Sequence, residues 1–334
     1  MDTYPASAGA RDRFVLDRRG QRPLHDAWRY QGLAVEEERA ADGSIARVAT
    51  VFLTGRECPW RCAMCDLWQY TTGADTPAGA IPAQVAAARR ALNEHPVTEM
   101  KLYNAGSFFD PRAVPRSDYD GVARALAGLT RVVVESHPAL VGPQVDRLME
   151  SLSRGAAPGT QPPRLEVAMG LETAHPGALE RLHKRMTVAD FAAAAEALRA
   201  RRVSVRAFLL IAPPFVPPDE SDEWLLRSID AAFSCGVSVV SLVPTRPGNG
   251  ALEALAASGL FHAPTLEDIE RVAAAALAHG SGRGRVFVDL WDLERFARCP
   301  ECLASRRARL HAMNLEQRAL PGVACLRCGP GAPA

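Results

Sequence analysis

Three cysteines, Cys58, Cys62 and Cys65, stand in the spacing C-x3-C-x2-C within one short run of the chain. Thiolates are the usual ligands of iron–sulfur clusters, and a cubane ordinarily takes four of them. Three closely spaced thiolates would leave one iron open to a chelating small molecule, such as one bearing an amine and a carboxylate. The competing reading is a zinc loop completed from elsewhere, for example by His137. A spacing of three then two is unusual for zinc.

A second cysteine group lies near the end of the chain. Cys299-Pro-Glu-Cys302 is followed after 22 residues by Cys325-Leu-Arg-Cys328. Two C-x2-C knuckles at this separation resemble a four-cysteine zinc ribbon, with an auxiliary iron–sulfur cluster as the alternative. Seven of the eight cysteines are clustered and only Cys235 stands apart, as a small residue suited to burial. Clustered thiols point to metal ligation in a reducing compartment rather than to disulfides. Around the knuckles Arg298, Arg306, Arg307, Arg309, Arg318 and Arg327 face only Glu301 and Glu316. Such a patch suits RNA phosphates. It equally suits a scaffold whose arginines are solvated or docked on Asp289 and Asp292.

The elements that must position these residues follow from periodicity. Short apolar, β-branched runs at Val48–Leu53, Met100–Tyr103, Arg131–Val134, Leu165–Met169, Val203–Ile211, Val237–Leu242 and Val286–Leu290 read as strands covered on both faces. Helical spacing intervenes, as in Tyr119, Val122, Leu126 and Leu129, or Leu225, Ile229 and Ala232, or Leu266, Ile269 and Val272. Thr187 and Asp190 form a capping-box pattern. The alternation predicts an α/β fold, a partial or complete (β/α) barrel with its ligands at the carboxyl ends of the strands. The organisation expected is an N-terminal extension over 1–40, a barrel over 41–292 and a small four-cysteine metal module over 293–334. Met1–Ala10 is expected to be loose, Trp28 and Tyr30 to dock, and Ser153–Pro163 to form a surface loop.

Strand-end residues converge on a barrel's site. Here they include Glu135, Ser136 and His137 after the third strand, Glu172 and Thr173 after the fourth, and Arg246 after the sixth. Glu135 and Glu172 are the stronger candidates, because a carboxylate there needs solvent or a partner. Ser136, Thr173 and His137 fit helix caps as well. The run His183-Lys184-Arg185 suits an anionic ligand or a solvated face.

The whole chain has 334 residues, 48% hydrophobic and 23% charged, with a formal net charge of +1. That is ordinary globular composition, and its net charge argues neither for nor against nucleic acid, so any such signal must be local. No run approaches the roughly 20 apolar residues of a membrane span. The first 20 residues lack the apolar stretch of a secretory signal. A cytoplasmic protein without membrane attachment is expected.

The C-x3-C-x2-C run after the first expected barrel strand resembles the signature of the radical S-adenosylmethionine (SAM) superfamily. The resemblance implies a [4Fe-4S] cluster on Cys58, Cys62 and Cys65. It also implies reductive cleavage of SAM to a 5′-deoxyadenosyl radical, with an electron donor such as flavodoxin or ferredoxin. Met64 stands where the family often has an aromatic residue near the adenine. Asn104, Ala105, Gly106 and Ser107 stand where it commonly has a Gly-Gly-Glu-like segment for the SAM amine, so the carboxylate is missing. Glu135, Glu172 and Arg185 join these as cofactor-binding candidates, with Glu135 and Glu172 also catalytic candidates beside the three cysteines.

Glu135-Ser-His-Pro138 and Leu182–Thr187 resemble segments of the group containing the elongator catalytic subunit. Cys65-Asp-Leu-Trp68, Lys101–Phe109 and Arg309–Asn314 resemble the radical SAM subunit of archaeosine synthase, over roughly residues 25 to 328. That family acts on tRNA bearing a lysine-modified 7-deazaguanine, cleaving a carbon–nitrogen bond of the adduct. The resemblance thus implies tRNA as partner and a separate lysine-attaching enzyme. Two other readings stay open: a radical SAM enzyme with a small-molecule substrate, and a non-catalytic iron–sulfur and zinc RNA-binding protein.

Overall fold

The computed structural model describes residues 4–93 and 95–328. Eight strands form one sheet in chain order: β1 (Gly32–Arg39), β2 (Ile45–Leu53), β3 (Glu99–Asn104), β4 (Arg131–Glu135), β5 (Arg164–Glu172), β6 (Ser204–Ile211), β7 (Val239–Pro244) and β8 (Arg285–Val288). β2 to β8 run parallel, and β1 pairs antiparallel with β2. The helices are α1 (Ala8–Leu16), α2 (Ala80–Ala91), α3 (Tyr119–Ala125), α4 (Pro143–Gly155), α5 (Pro176–Arg181), α6 (Val188–Ala200), α7 (Ser221–Ser234), α8 (Ala251–Ala257), α9 (Leu266–Gly280) and α10 (Pro300–Glu316). The sheet curls into an open barrel with helices outside it. All seven expected strands are present, and the Thr187–Asp190 capping box opens α6. No helix among the described residues is long and apolar enough to cross a membrane.

Each strand divides its residues between two environments with the period of two that a pleat imposes. Met100, Leu102, Val132, Val134, Val167, Met169, Val205, Leu209, Val240 and Leu242 join the core shared with Ile81, Val85, Leu148, Phe191 and Ile229 of the helices. The residues between them face the lumen, and many are charged. Glu38 of β1 accepts from Lys101 of β3, Arg131 of β4 and Arg206 of β6, each at 2.7 Å. Glu166 of β5 accepts from Arg131 at 2.7 Å and Arg206 at 2.6 Å. Contacts from the edge strand to β6 can only cross the interior, so this network fills the barrel at the amino-terminal half of its strands. Above it Tyr103 meets Phe208 and Phe52 edge-on.

The network accounts for β1, which was expected to be part of an extension. Glu36, Glu37 and Glu38 form an acidic run, yet Glu38 is only 3% exposed because three cations meet it in the lumen. The start of the chain also differs from expectation. Within Met1–Ala10, residues 1–3 lie outside the described residues, but Tyr4 is not loose. Its ring packs on Phe14 and Phe215, and its hydroxyl donates to the Arg181 carbonyl at 2.5 Å. Tyr30 packs against the core, whereas Trp28 is half-exposed over Gly79.

The tail has its own logic. Between the two cysteine pairs runs the 17-residue helix α10, where a ribbon would have strands. α10 lies along the free edge of β8. Asn314 receives the Val288 N–H at 2.8 Å and donates to the Val288 carbonyl at 2.9 Å. Gln317 does the same at Val286, both at 2.8 Å. Two side-chain amides three residues apart thereby satisfy alternate backbone groups of an edge strand that would otherwise be open. On the other side of the gap the Arg39 guanidinium donates to the Leu315 carbonyl at 3.1 Å, tying α10 to β1.

Candidate functional site

The segment after β2 carries Cys58, Cys62 and Cys65 across the carboxyl ends of the strands. Three neighbours hold its backbone. Cys58 N–H donates to the Ala105 carbonyl at 3.3 Å, and Ala63 N–H to that of Leu182 at 2.9 Å. The buried Asn249, beyond β7, donates to the Ala63 and Cys65 carbonyls at 2.8 and 3.3 Å while its own oxygen caps Leu252. A Cβ on Gly106 would overlap the Arg56 carbonyl, so glycine lets the end of β3 approach the cysteine loop. Burial pushes the Cys58 and Cys62 thiols up to about 12 and the Cys65 thiol higher still. Bare thiolates are therefore disfavoured here, and a bound metal is what would make them stable.

At the end of β3, Asn104 is 4% exposed and neither its side-chain nitrogen nor its oxygen has a partner. A buried, wholly unpaired amide is costly and calls for a ligand. It lies where the SAM-binding segment is expected, so the donor set fits a cluster with a polar ligand beside it. Ser107, with φ of +66°, accepts the His137 N–H at 3.0 Å.

The next layer is acidic and basic. Glu172, with φ of +67° at a bulge in β5, accepts from Lys184 at 2.5 Å. A Cβ on Gly170 would overlap both members of that pair. Burial works against the Lys184 charge, but Glu172 outweighs it and the amine stays protonated. Half-buried Glu135 is pushed up to about 7 by burial, against the pull of Lys184 and with help from Glu172. The His137 ring stacks on Trp60, centroids 3.6 Å apart. Its Nδ1 accepts from Ala139 N–H at 3.1 Å, which puts the proton on Nε2, 3.0 Å from the Lys184 carbonyl. Burial and Lys184 lower its pKa to about 4, so the ring is neutral and unsuited to ligating with Nδ1.

Of the residues expected at the site, Cys58, Met64, Asn104–Ser107, Glu135 and Glu172 stand at strand ends or in the loop that crosses them. The Arg185 guanidinium reaches away to Asp12 at 2.5 Å. Arg246 pairs with Asp289 at 2.5 Å, and Cys235 packs half-buried against the helix core. Sequence reasoning named Lys184 only within a basic run and did not foresee its pairing with Glu172, and it passed over Trp60, Asp12 and Glu57. Glu57 gathers Arg19 at 2.7 Å, Arg61 at 3.2 Å and Arg22. The position of Glu57 beside Cys58 was the one signal available for it.

The four C-terminal cysteines do meet. Cys299 and Cys325 sulfurs lie 3.9 Å apart, Cys302 and Cys328 3.7 Å, and all four fall within 4.8 Å of one another. Metal–sulfur bonds of about 2.3 Å give a tetrahedron with edges of about 3.8 Å. Cys299 and Cys302 sit at the amino terminus of α10. The arginines nearby are engaged. Arg306 holds Glu267 at 2.5 Å and also Glu270, and Arg309 holds Glu270 at 3.1 Å and the Leu320 carbonyl at 2.6 Å. Arg307, Arg318 and Arg327 pair with Glu294, Glu316 and Glu301. Their partners are thus not Asp289 or Asp292.

An open parallel barrel with three cysteines in the loop after its first parallel strand is the arrangement that the resemblance to radical SAM proteins implied. The chain is similar to archaeosine synthase subunit beta of Methanosarcina acetivorans, 26% identical over 247 residues, 71% of this chain and 69% of that one. An uncharacterized protein of Methanocaldococcus jannaschii is 24% identical over 157 residues, 46% of this chain and 41% of the relative. In structure the chain resembles the archaeal Elp3 of Methanocaldococcus infernus, with a TM-score of 0.52 and 14% identity over 70% of this chain and 59% of that one. No protein-family model matches.

Proposed function

We propose that this chain is a radical SAM enzyme that modifies tRNA, cleaving a carbon–nitrogen bond in an archaeosine-type reaction. The observation that carries the reading is the similarity to archaeosine synthase subunit beta across 71% of the chain. Cys58, Cys62 and Cys65 would hold a [4Fe-4S] cluster, and Asn104 with the end of β3 would meet the polar part of SAM. Bound together, cluster and SAM supply a radical that takes a hydrogen atom from a substrate carbon. Around them the chain pairs Glu172 with Lys184, holds Glu135 near its titration point, and covers the site with Trp60 and His137. The spacing of Cys299, Cys302, Cys325 and Cys328 supports a single tetrahedral ion, most simply zinc, rather than a cubane, whose cysteine sulfurs stand farther apart.

The test is nucleoside mass spectrometry of total tRNA from cells with and without the gene. Loss of one modified nucleoside with build-up of a heavier precursor supports the reading; identical profiles overturn it. In the anaerobic, reduced protein, formation of 5′-deoxyadenosine from SAM should disappear in Cys62→Ala together with most of the bound iron. Retention of both would remove the cluster assignment. One observation favours a small-molecule substrate instead: the tail arginines are largely spent on carboxylates, leaving less charge there for phosphate.

A further inference from the structure

The amino-terminal helix reaches the site through one carboxylate. Asp12 of α1 accepts from His183 Nε2 at 2.9 Å and from the Arg185 guanidinium at 2.5 Å. Both partners have left-handed backbones, with φ of +61° and +57°, which a side chain disfavours and which persists only where the surroundings enforce it. Between them stands Lys184, whose amine enters the barrel to meet Glu172 at 2.5 Å and whose carbonyl takes the His137 Nε2–H at 3.0 Å. The same helix buries Phe14 and Val15 in a cluster with Leu182 and with Ala63 of the cysteine loop. Just beyond it, Arg19 grips Glu57, next to Cys58.

We propose that Asp12 is a positioning residue of the SAM site. It holds residues 183–185 in their left-handed turn, so that Lys184 is delivered to Glu172 and its carbonyl to His137. The amino-terminal helix α1 and Arg19 beyond it then help to position the site instead of forming an appendage. The proposal rests on the radical SAM reading for its effect on SAM, but not for its effect on the backbone.

The experiment uses the full chain with Asp12→Ala and Asp12→Asn, and Glu180→Ala as control. Glu180 is an exposed partner of Arg11 on the same helix, so its loss loosens the surface contact while leaving the turn alone. Hydrogen exchange of the metal-free proteins should show residues 182–186 opening at least tenfold faster in Asp12→Ala. Asp12→Asn should be intermediate, and Glu180→Ala should match the wild type. In the iron-loaded proteins the Kd for SAM should rise about tenfold in Asp12→Ala with iron content unchanged. Wild-type exchange at 182–186 in Asp12→Ala overturns the proposal, as does equal opening in Glu180→Ala, which would assign the effect to helix docking in general. If Asp12→Ala does not fold, the comparison of Asp12→Asn with Glu180→Ala decides in the same way. If the wild type binds no SAM, the radical SAM reading fails while the exchange pattern still judges Asp12.

Discussion

Glu135 and Gly170 give the site its sharpest residue-level tests. The Glu135 carboxyl is raised from 4.5 to about 7 by burial, so folding favours its protonated form. That contribution is complete below pH 4.5 and is lost as pH rises through 7. Relative to Glu135→Gln, the metal-free wild type should therefore lose melting temperature between these limits, which a pH series of thermal scans would reveal. SAM binding should show an inflection near pH 7 that the variant lacks. Gly170→Ala tests the Glu172–Lys184 pair by intrusion. The added methyl must displace both groups or the strand, and overpacking of this kind costs about 1–3 kcal/mol. SAM affinity should fall further than stability does, as calorimetry and denaturant melts of one preparation would measure. The three cysteines were legible because their spacing is local. The Lys184–Glu172 pair was not, because it depends on a left-handed turn and on a partner twelve residues back in another element.

At the scale of elements, the barrel strands and the capped helix α6 could be read from periodicity and capping alone. β1 and α10 could not. A strand whose lumen-facing residue is Glu38 looks solvated until its cations, scattered from Lys101 to Arg206, are brought together by the fold. α10 was masked by its flanking cysteines, which suggested a ribbon. Its function as an edge cover rests on Asn314 and Gln317, ordinary surface residues in any sequence pattern. Asn314→Leu should leave the Val288 N–H and carbonyl unpaired at about 1–3 kcal/mol each. Chelation of the four-cysteine site should produce the same signature, because that site fixes the first turn of the helix. Faster amide exchange at Val286 and Val288 in both cases is the expected result. Exchange unchanged by chelation would mean that α10 docks without its metal.

The whole molecule is stabilised through its lumen. Burial pushes the Glu38 carboxyl up, but Arg206, Lys101 and Arg131 outweigh it and hold it well below its usual 4.5. This contribution is present above that value and is lost as pH falls below it, the opposite sign to Glu135. Acid unfolding should therefore set in below pH 4.5 and be blunted in Glu38→Gln, which starts from a less stable protein. Removing one partner from such a buried group costs about 3–5 kcal/mol at neutral pH. Denaturant titrations of both proteins across the pH range would show the two curves converging in acid.

The filled lumen also governs traffic. Among the described residues, charged side chains close the barrel from below and aromatic rings lie over them, so the mouth is the way in for what reacts. On the function proposed above, a tRNA laid across that mouth would shut in whatever had already entered. SAM must then arrive before the nucleic acid, and the spent nucleoside can depart only after it. Initial-rate kinetics should accordingly be ordered rather than random, and excess tRNA should inhibit by occupying the mouth of the SAM-free protein.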